Sequence, residues 1–407
     1  MNVAVAIGGL ALLIILHEAG HFFAALAVKM RPRKFYLFFP PALVKRVRNG
    51  IEYGIGAIPL GGYVKIPGMH PPAGGDLRAQ LGEAVSEAPW LEGHVERVAR
   101  AVDAKLLEDA RAELPRLRQA VEKASLSERA RTAAERGLTD LEDTLAPDAY
   151  WRAPAWKRIT VIFAGPGTNL VFAVVLLAIV YMAGVPVETT NKVDRLVAAS
   201  PAAAMGLRPG DRITAVGDTP VRPDSISKTI RASGGRPITL TVDRDGSRIS
   251  LGPARARKIE GAYRLGFVLG ARNESYGPVK SARLAAQQTW SVTEQIGRAL
   301  AQLPTRSGRE QISSPVGIVE GSSEALDQGF RVYLEILAFI SLSLALLNLL
   351  PLLPLDGGHI AFSILEKLRG RAIPREAYEK ASAFGIAVVL LLFVLGLSND
   401  VGRLSGG

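Results

Sequence analysis

The stretch from Asn2 to about Val28 is apolar almost throughout, yet it contains Leu16-His17-Glu18-Ala19-Gly20-His21. An apolar run of this length approaches the roughly 20 residues needed to cross about 30 Å of hydrocarbon. Ionisable side chains inside such a run are costly to bury without partners, so three together demand one. In a helix, positions four apart are separated by about 400°, which brings both imidazoles onto one face, one turn apart, able to chelate a single ion. Glu18 is displaced around the helix and free to face a water held by that ion. Zinc hydrolases use this arrangement: the metal lowers the water pKa toward about 7 and a carboxylate takes its proton. The segment lacks the basic leading region and small-residue cleavage site of a secretory signal, and it reads as a retained helix.

The absence of cysteine excludes disulfide frameworks, thiolate zinc sites, iron–sulfur clusters and cysteine nucleophiles, leaving any metal to His, Asp or Glu. With 48% hydrophobic and 21% charged residues among 407, the chain reads as a membrane protein rather than as two or three soluble domains. Three further stretches suit crossing: Ile159 to about Val185, Tyr333 to about Leu355, and Phe384 to Leu397, the last only when Ala377 to Ala383 are included. Lys and Arg cluster after the first span (Lys29 to Arg48), before the second (Arg152, Lys157, Arg158) and between the third and fourth (Lys367 to Lys380). If the spans alternate, all three clusters face one side, the cytoplasm, and Pro186 to about Gly329 is extracytoplasmic. The net charge of +11 then belongs to loops facing anionic lipid, and with 6% aromatic residues and no basic repeat it does not indicate nucleic acid.

Two polar modules interrupt the spans. Asp76 to Asp148 carries 16 acidic and 11 basic residues and predicts solvated helices, in the simplest form a helical hairpin. Val187 to Leu269 switches to short β-rich runs, Ile238 to Val242 and Arg264 to Leu269 among them, with turns at Pro209-Gly210-Asp211 and Asp245-Gly246, and predicts a small β-sandwich or barrel. Glu52 to Lys65, close to the first span, is rich in glycine and β-formers and suits a short hairpin. Non-helical backbone near membrane depth needs protein or a wet cavity beside it, so a cavity is implied.

A tetrahedral catalytic site needs a third protein ligand. The third span ends Asn348-Leu349-Leu350-Pro351-Leu352-Leu353-Pro354-Leu355-Asp356-Gly357-Gly358-His359, where two prolines break the helix and two glycines allow close approach, predicting unwound backbone around Asp356. Asp356 and, three residues on, His359 are both candidates for the third ligand. The charge-based topology brings His17, His21 and Asp356 to one depth on the cytoplasmic side. His70 and His94 stand in polar contexts and read as solvated. Asn348 is either a helix-breaking cap or a hydrogen-bond donor in the cleft; Asn169, in Ala164-Gly165-Pro166-Gly167-Thr168-Asn169, is either such a donor or part of a small-residue packing seam.

His-Glu-Ala-Gly-His, Pro-Leu-Gly-Gly-Tyr-Val at Pro59 to Val64, Ala-Gly-Pro-Gly-Thr-Asn in the second span and Asn-Leu-Leu-Pro-Leu-Leu-Pro-Leu-Asp-Gly-Gly-His in the third together resemble the site-2 protease family, in particular the bacterial RseP-type intramembrane zinc metalloproteases. The resemblance spans the membrane part and the β-rich module. It implies Zn²⁺ on His17, His21 and Asp356, Glu18 as general base, Asn348 and Asn169 against the substrate, and Ile51 to Ile66 as a membrane re-entrant β-hairpin whose Gly61, Gly62 and Tyr63 meet an added substrate strand. It also implies that the β module, through Ser200-Pro201 to Arg212-Ile213 and Leu265-Gly266-Phe267, is a PDZ domain, acting as a peptide site or a steric filter. Relatives often carry two such domains, whereas one fits here, and the helical module is longer than the family pattern requires.

The expected architecture is thus a polytopic α-helical membrane protein of about four transmembrane helices, with a re-entrant β-hairpin and an inserted extracytoplasmic PDZ-like β domain. Its parts are residues 1–30 (first span), 31–75 (cytoplasmic-side loop and hairpin), 76–150 (helical insertion), 155–185 (second span), 186–272 (PDZ-like), 273–330 (linker and amphipathic helices), 331–365 (third span) and 375–400 (fourth span). The resemblance places it in the cell inner membrane as an endopeptidase acting in the lipid bilayer on single-pass transmembrane proteins, such as trimmed anti-sigma factors or signal-peptide remnants. A zinc-binding PDZ scaffold without catalysis is the alternative, and it predicts the loss of Glu18 or a ligand. All four residues are present.

Overall fold

A computed structural model of the chain describes residues 2–259, 261–302, 305, 314–371 and 373–405, without the side chains of Pro59, Leu60, Arg375 and 403–405. Part of the expected 273–330 linker, residues 303–304 and 306–313, lies outside the described residues. Two compact units emerge, one of Met1–Leu177 with Ala285–Gly407, the other Ala178–Leu284.

Among the described residues, four helices are long and apolar enough to cross a membrane: α1 (Asn2–Ala27), α6 (Ala155–Ala183), α11 (Phe330–Asn348) and α13 (Arg375–Ser405). Their apolar side chains point outward as well as inward. Val171, Phe384, Leu390 and Val394 are all exposed, as expected where lipid replaces water around a helix that satisfies its own backbone. Glycine lets two of these helices meet closely. A Cβ at Gly20 would overlap the Ala164 carbonyl and the Thr168 hydroxyl, and one at Gly165 would overlap the His21 ring.

Between α1 and α6 lie two strands, β1 (Lys34–Arg48) and β2 (Ile51–Lys65). The hairpin is larger than the sequence suggested, because β1 recruits the apolar run Phe35-Tyr36-Leu37 that precedes the glycine-rich segment. Ala42–Arg48 runs against Ile51–Gly56, while Lys34–Leu37 is flanked by Glu52–Ile55 on one side and by Gly62–Lys65 on the other. The last stretch, Gly62–Lys65, is therefore an edge with one ladder of backbone groups unpaired by the sheet.

The helical insertion is not a hairpin but four helices: α2 (Gly74–Glu87), α3 (Glu92–Asp103), α4 (Leu107–Lys123) and α5 (Glu128–Leu145). Leu77, Leu81, Leu91, Leu117, Leu138 and Leu145 form its buried core, each such side chain contributing about 1.5–3 kcal/mol. Ser127 starts α5 by accepting from the Ala130 amide, and its own amide and hydroxyl donate to Glu87 at the end of α2. That local capping chemistry divides a run which composition alone presents as one amphipathic block.

The linker contributes α9 (Pro278–Gln302) and α10 (Pro315–Gln328). The third span ends at Asn348, and α12 (Asp356–Arg369) begins with Asp356 itself. The unwound segment is residues 349–355, so Asp356 is the first helical residue rather than the centre of the break. Cβ atoms at Gly357 and Gly358 would overlap the backbone of Leu349–Leu353, and one at Gly385 of α13 would overlap the Leu353 carbonyl. Glycine is required where three backbones crowd the break.

The second unit is an open sheet in the order β10–β3–β4–β6–β7, with β5 paired to β4. Its strands are β3 (Val185–Leu196), β4 (Arg212–Val216), β5 (Thr219–Pro220), β6 (Pro237–Arg244), β7 (Ser247–Arg255) and β10 (Phe267–Glu274); β8 (Arg257–Ile259) and β9 (Ala262–Arg264) pair separately. Besides the one-turn α7 (Pro201–Ala204), α8 (Pro223–Ala232) packs Ile226 and Ile230 into the core. In place of a sandwich or barrel, the unit is one six-stranded sheet closed by a helix, with β8–β9 as a separate two-stranded sheet. Pro223 at the first helical position and isoleucines four apart were the overlooked signal. The predicted turns form, Gly210 and Asp245-Gly246 taking positive φ, and the latter pair fits a two-residue hairpin.

Asp211 in the first of these turns is 2% exposed. It accepts from Arg244 at 2.7 Å and from the Arg208 amide at 2.8 Å, and the Arg244 guanidinium holds its carboxyl below the usual carboxylate range. A depressed folded pKa means that the pair's stabilisation is present above the unfolded value of about 3.9 and lost as pH falls through the folded one. Asp211→Asn is expected to flatten the acid limb of this unit's stability profile below about pH 4, read by hydrogen exchange of β4 and β6 in the full chain; an unchanged acid limb refutes the assignment.

Candidate metal centre

The three donors converge from two helices, α1 and α12. Asp356 Oδ2 lies 3.3 Å from His17 Nε2 and 3.4 Å from His21 Nε2, and the two Nε2 atoms are 3.3 Å apart. Among the described residues, these three form the only group of His, Cys, Asp or Glu that could hold a metal ion. Tetrahedral bonds of about 2.0–2.1 Å, the range for imidazole and carboxylate on zinc, require ligand atoms about 3.3–3.4 Å apart. The three separations observed are edges of such a tetrahedron.

Protonation supports the same fit. His21 Nδ1 lies 2.9 Å from the Val161 carbonyl, so it carries the proton and Nε2 turns a lone pair toward the centre. Asn169 is fully buried, with its amide 3.5 Å from His17 Nδ1 and its Oδ1 without a partner. Rotating the amide about χ2 lets Oδ1 accept the His17 Nδ1 proton, satisfying both groups and freeing Nε2. Asp356 Oδ2 is buried without a hydrogen-bond partner. Three lone-pair atoms packed this closely repel unless a cation lies among them, so the residues fit a divalent ion such as Zn²⁺.

The second turn of α12 does not reach this cluster. His359 lines the same cavity but is outside the set of converging ligand atoms. Spacing along the sequence could not separate Asp356 from His359; the first-turn position of Asp356 above the break does so. Asn169, expected against substrate, instead backs His17 and does not line the cavity. A deep position in α6, with its main-chain carbonyl accepting from the Ser341 hydroxyl on α11, keeps it from the opening.

Glu18, Gly61, Gly62, Tyr63 and Asn348 do line the cavity, whose volume is about 1020 Å³. A methyl group at Gly62 would overlap the Glu18 side chain, so the edge of β2 passes directly beside the carboxylate. The Lys65 carbonyl accepts from the amide of Arg33, the residue before β1, at 2.7 Å. By strand alternation, the Val64 and Gly62 backbone groups face the other way, toward the open edge and the cavity. His70, read as solvated, is here a cavity residue with its ring 4.8 Å from that of Tyr378. His94 lies away from the centre and pairs with Arg97 at 2.8 Å.

Gly165 supports the centre from behind. Gly165→Ala is expected to displace the His21 ring and weaken metal retention by about 10- to 100-fold, the range for losing a ligand's support. Metal content after dialysis checks this, and retention equal to the unaltered protein rules it out.

Comparison with known proteins follows the same lines. The model of peptidase family M50 matches residues 5–392. Similar proteins include the zinc metalloprotease Rip1 of Mycobacterium tuberculosis, 29% identical over 93% of this chain and 88% of the relative. The zinc metalloprotease RasP of Bacillus licheniformis is 28% identical over 96% of each chain. A match this long, carried by a chain whose apolar helices bring two imidazoles, a carboxylate and a glutamate to one cavity, places the protein in peptidase family M50.

Proposed function

We propose that this protein is a zinc-dependent intramembrane endopeptidase, with His17, His21 and Asp356 as ligands and Glu18 as general base. The observation that carries the reading is the meeting, in one cavity, of a three-donor cluster, a carboxylate and an open strand edge. When bound, Zn²⁺ acidifies water toward a pKa of about 7 and polarises a carbonyl. Glu18 takes the proton from the attacking water and passes it to the leaving amine, so one proton is borrowed and returned as the C–N bond breaks.

A transmembrane substrate presents its carbonyls inside helical hydrogen bonds and must be extended before water can attack. The outward backbone groups of Gly62 and Val64 suit addition of such a segment as a further strand, with Gly61 and Tyr63 flanking it and Asn348 across the cavity. Exposed Leu43, Val44 and Val47 on β1 suit a hairpin dipping into the bilayer from the cytoplasmic side. By resemblance, the Ala178–Leu284 unit is a PDZ-like domain on the opposite side of an inner membrane. The substrates are then single-pass proteins already trimmed there, such as anti-sigma factors or signal-peptide remnants.

The test is reconstitution of the full chain in liposomes with a single-pass substrate lacking its extracytoplasmic domain. Cleavage within the transmembrane segment, dependent on one bound zinc per chain, is expected. Stoichiometric zinc with no cleavage of several pre-trimmed substrates would instead favour the scaffold.

A further inference from the structure

The four-helix insertion is attached to the strand edge beside Glu18 through one buried carboxylate. Asp143, near the end of α5, is 7% exposed. Its Oδ1 accepts from Arg33 Nε at 2.8 Å, and its Oδ2 lies 3.0 Å from Lys65 Nζ. Arg33 immediately precedes β1, Lys65 ends β2, and their backbones are hydrogen-bonded to one another. One carboxylate thus holds both side chains at the closing end of the sheet, three residues from Gly62. Asp148 and Asp140 add second contacts to Arg33 and Lys65. Immediately beyond, the Tyr150 and Trp151 amides donate to the Pro67 and Gly68 carbonyls at 2.8 and 3.0 Å. The insertion also walls the cavity, through Leu77 and Gln80 on α2 and Gly137 and Leu141 on α5.

We propose that the insertion is a brace that sets the position of the β2 edge against Glu18, with Asp143 as its positioning residue. This rests on the reading that substrate adds to that edge. A strand at a sheet margin has only one ladder to hold it, and its register against an incoming strand is weakly specified unless pinned. Two cations on one buried carboxylate supply a directional pin that apolar packing cannot, because charge-assisted contacts fix the geometry of the groups that make them. The consequence for the reaction is which carbonyl of the added strand meets the water that Glu18 deprotonates.

The experiment uses the full chain in liposomes with the single-pass substrate, comparing Asp143→Asn, Asp143→Glu, Lys65→Gln, Val64→Pro and, as control, Glu142→Gln, whose exposed carboxylate pairs with Arg118 inside the bundle. Asp143→Asn and Lys65→Gln are expected to lower kcat/KM by about 10- to 100-fold, as for small misplacements of reacting groups. The cut should spread to neighbouring bonds by mass spectrometry, and amides 63 and 65 should exchange faster, with zinc content unchanged. Asp143→Glu should restore part of the rate, and Glu142→Gln should behave as the unaltered chain. Lys65→Gln leaves Asp143 paired with Arg33 and carries the test if Asp143→Asn does not fold. Normal rate and an unmoved scissile bond in both overturn the brace. Val64→Pro removes an outward N–H while sparing the ladder to β1; if it too cleaves normally, the strand-addition reading has failed rather than the brace alone.

Discussion

Glu18→Gln is expected to lower peptide-bond hydrolysis by about 10²- to 10⁴-fold, the contribution typical of a positioned general base, with bound zinc unchanged. The amide is nearly isosteric with the carboxylate, so it should fit beside Gly62, where even an added methyl group on the strand would collide. What it lacks is a lone pair basic enough to take a proton from water. Glu18 is not among the converging donors, so metal retention separates loss of a base from loss of the centre. Cleavage of the reconstituted single-pass substrate and metal analysis of the same preparation give both answers. A variant that loses zinc along with activity would make Glu18 a ligand, and one that cleaves normally would remove it from the reaction.

The second large effect distinguishes two residues one helical turn apart. Asp356→Ala is expected to reduce zinc retention by more than about 100-fold, beyond the loss seen when only a ligand's outer partner is removed, and to abolish cleavage. Its carboxylate is one of three groups 3.3–3.4 Å apart, and without it two imidazoles are left to hold a divalent ion. His359→Ala should keep its zinc, because that ring lines the cavity without joining the cluster. Equal metal loss in both variants would show that the ligand set includes the second turn of α12.

Much of this was readable from residues alone because it is local. The four-residue spacing of His17 and His21 fixes their common face, and Glu18 follows from the same helical geometry. Apolar run length gives the four crossing helices, and Pro351 and Pro354 give the break before Asp356. These features are each contained within one continuous stretch of chain, which the sequence specifies directly.

What only the tertiary structure decided involves contacts between segments far apart along the chain. It brought Asp356 rather than His359 beside the two imidazoles, turned Asn169 from the cleft to the rear of His17, and showed why Gly20, Gly165 and Gly385 must lack side chains. It also resolved a polar helical block into four helices pinned to β2 through Asp143. Charge pattern along a chain does not say which carboxylate of sixteen meets which cation. That depends on the depth at which packed helices and strands meet, and packing is settled by shape across the whole fold rather than by periodicity within one element.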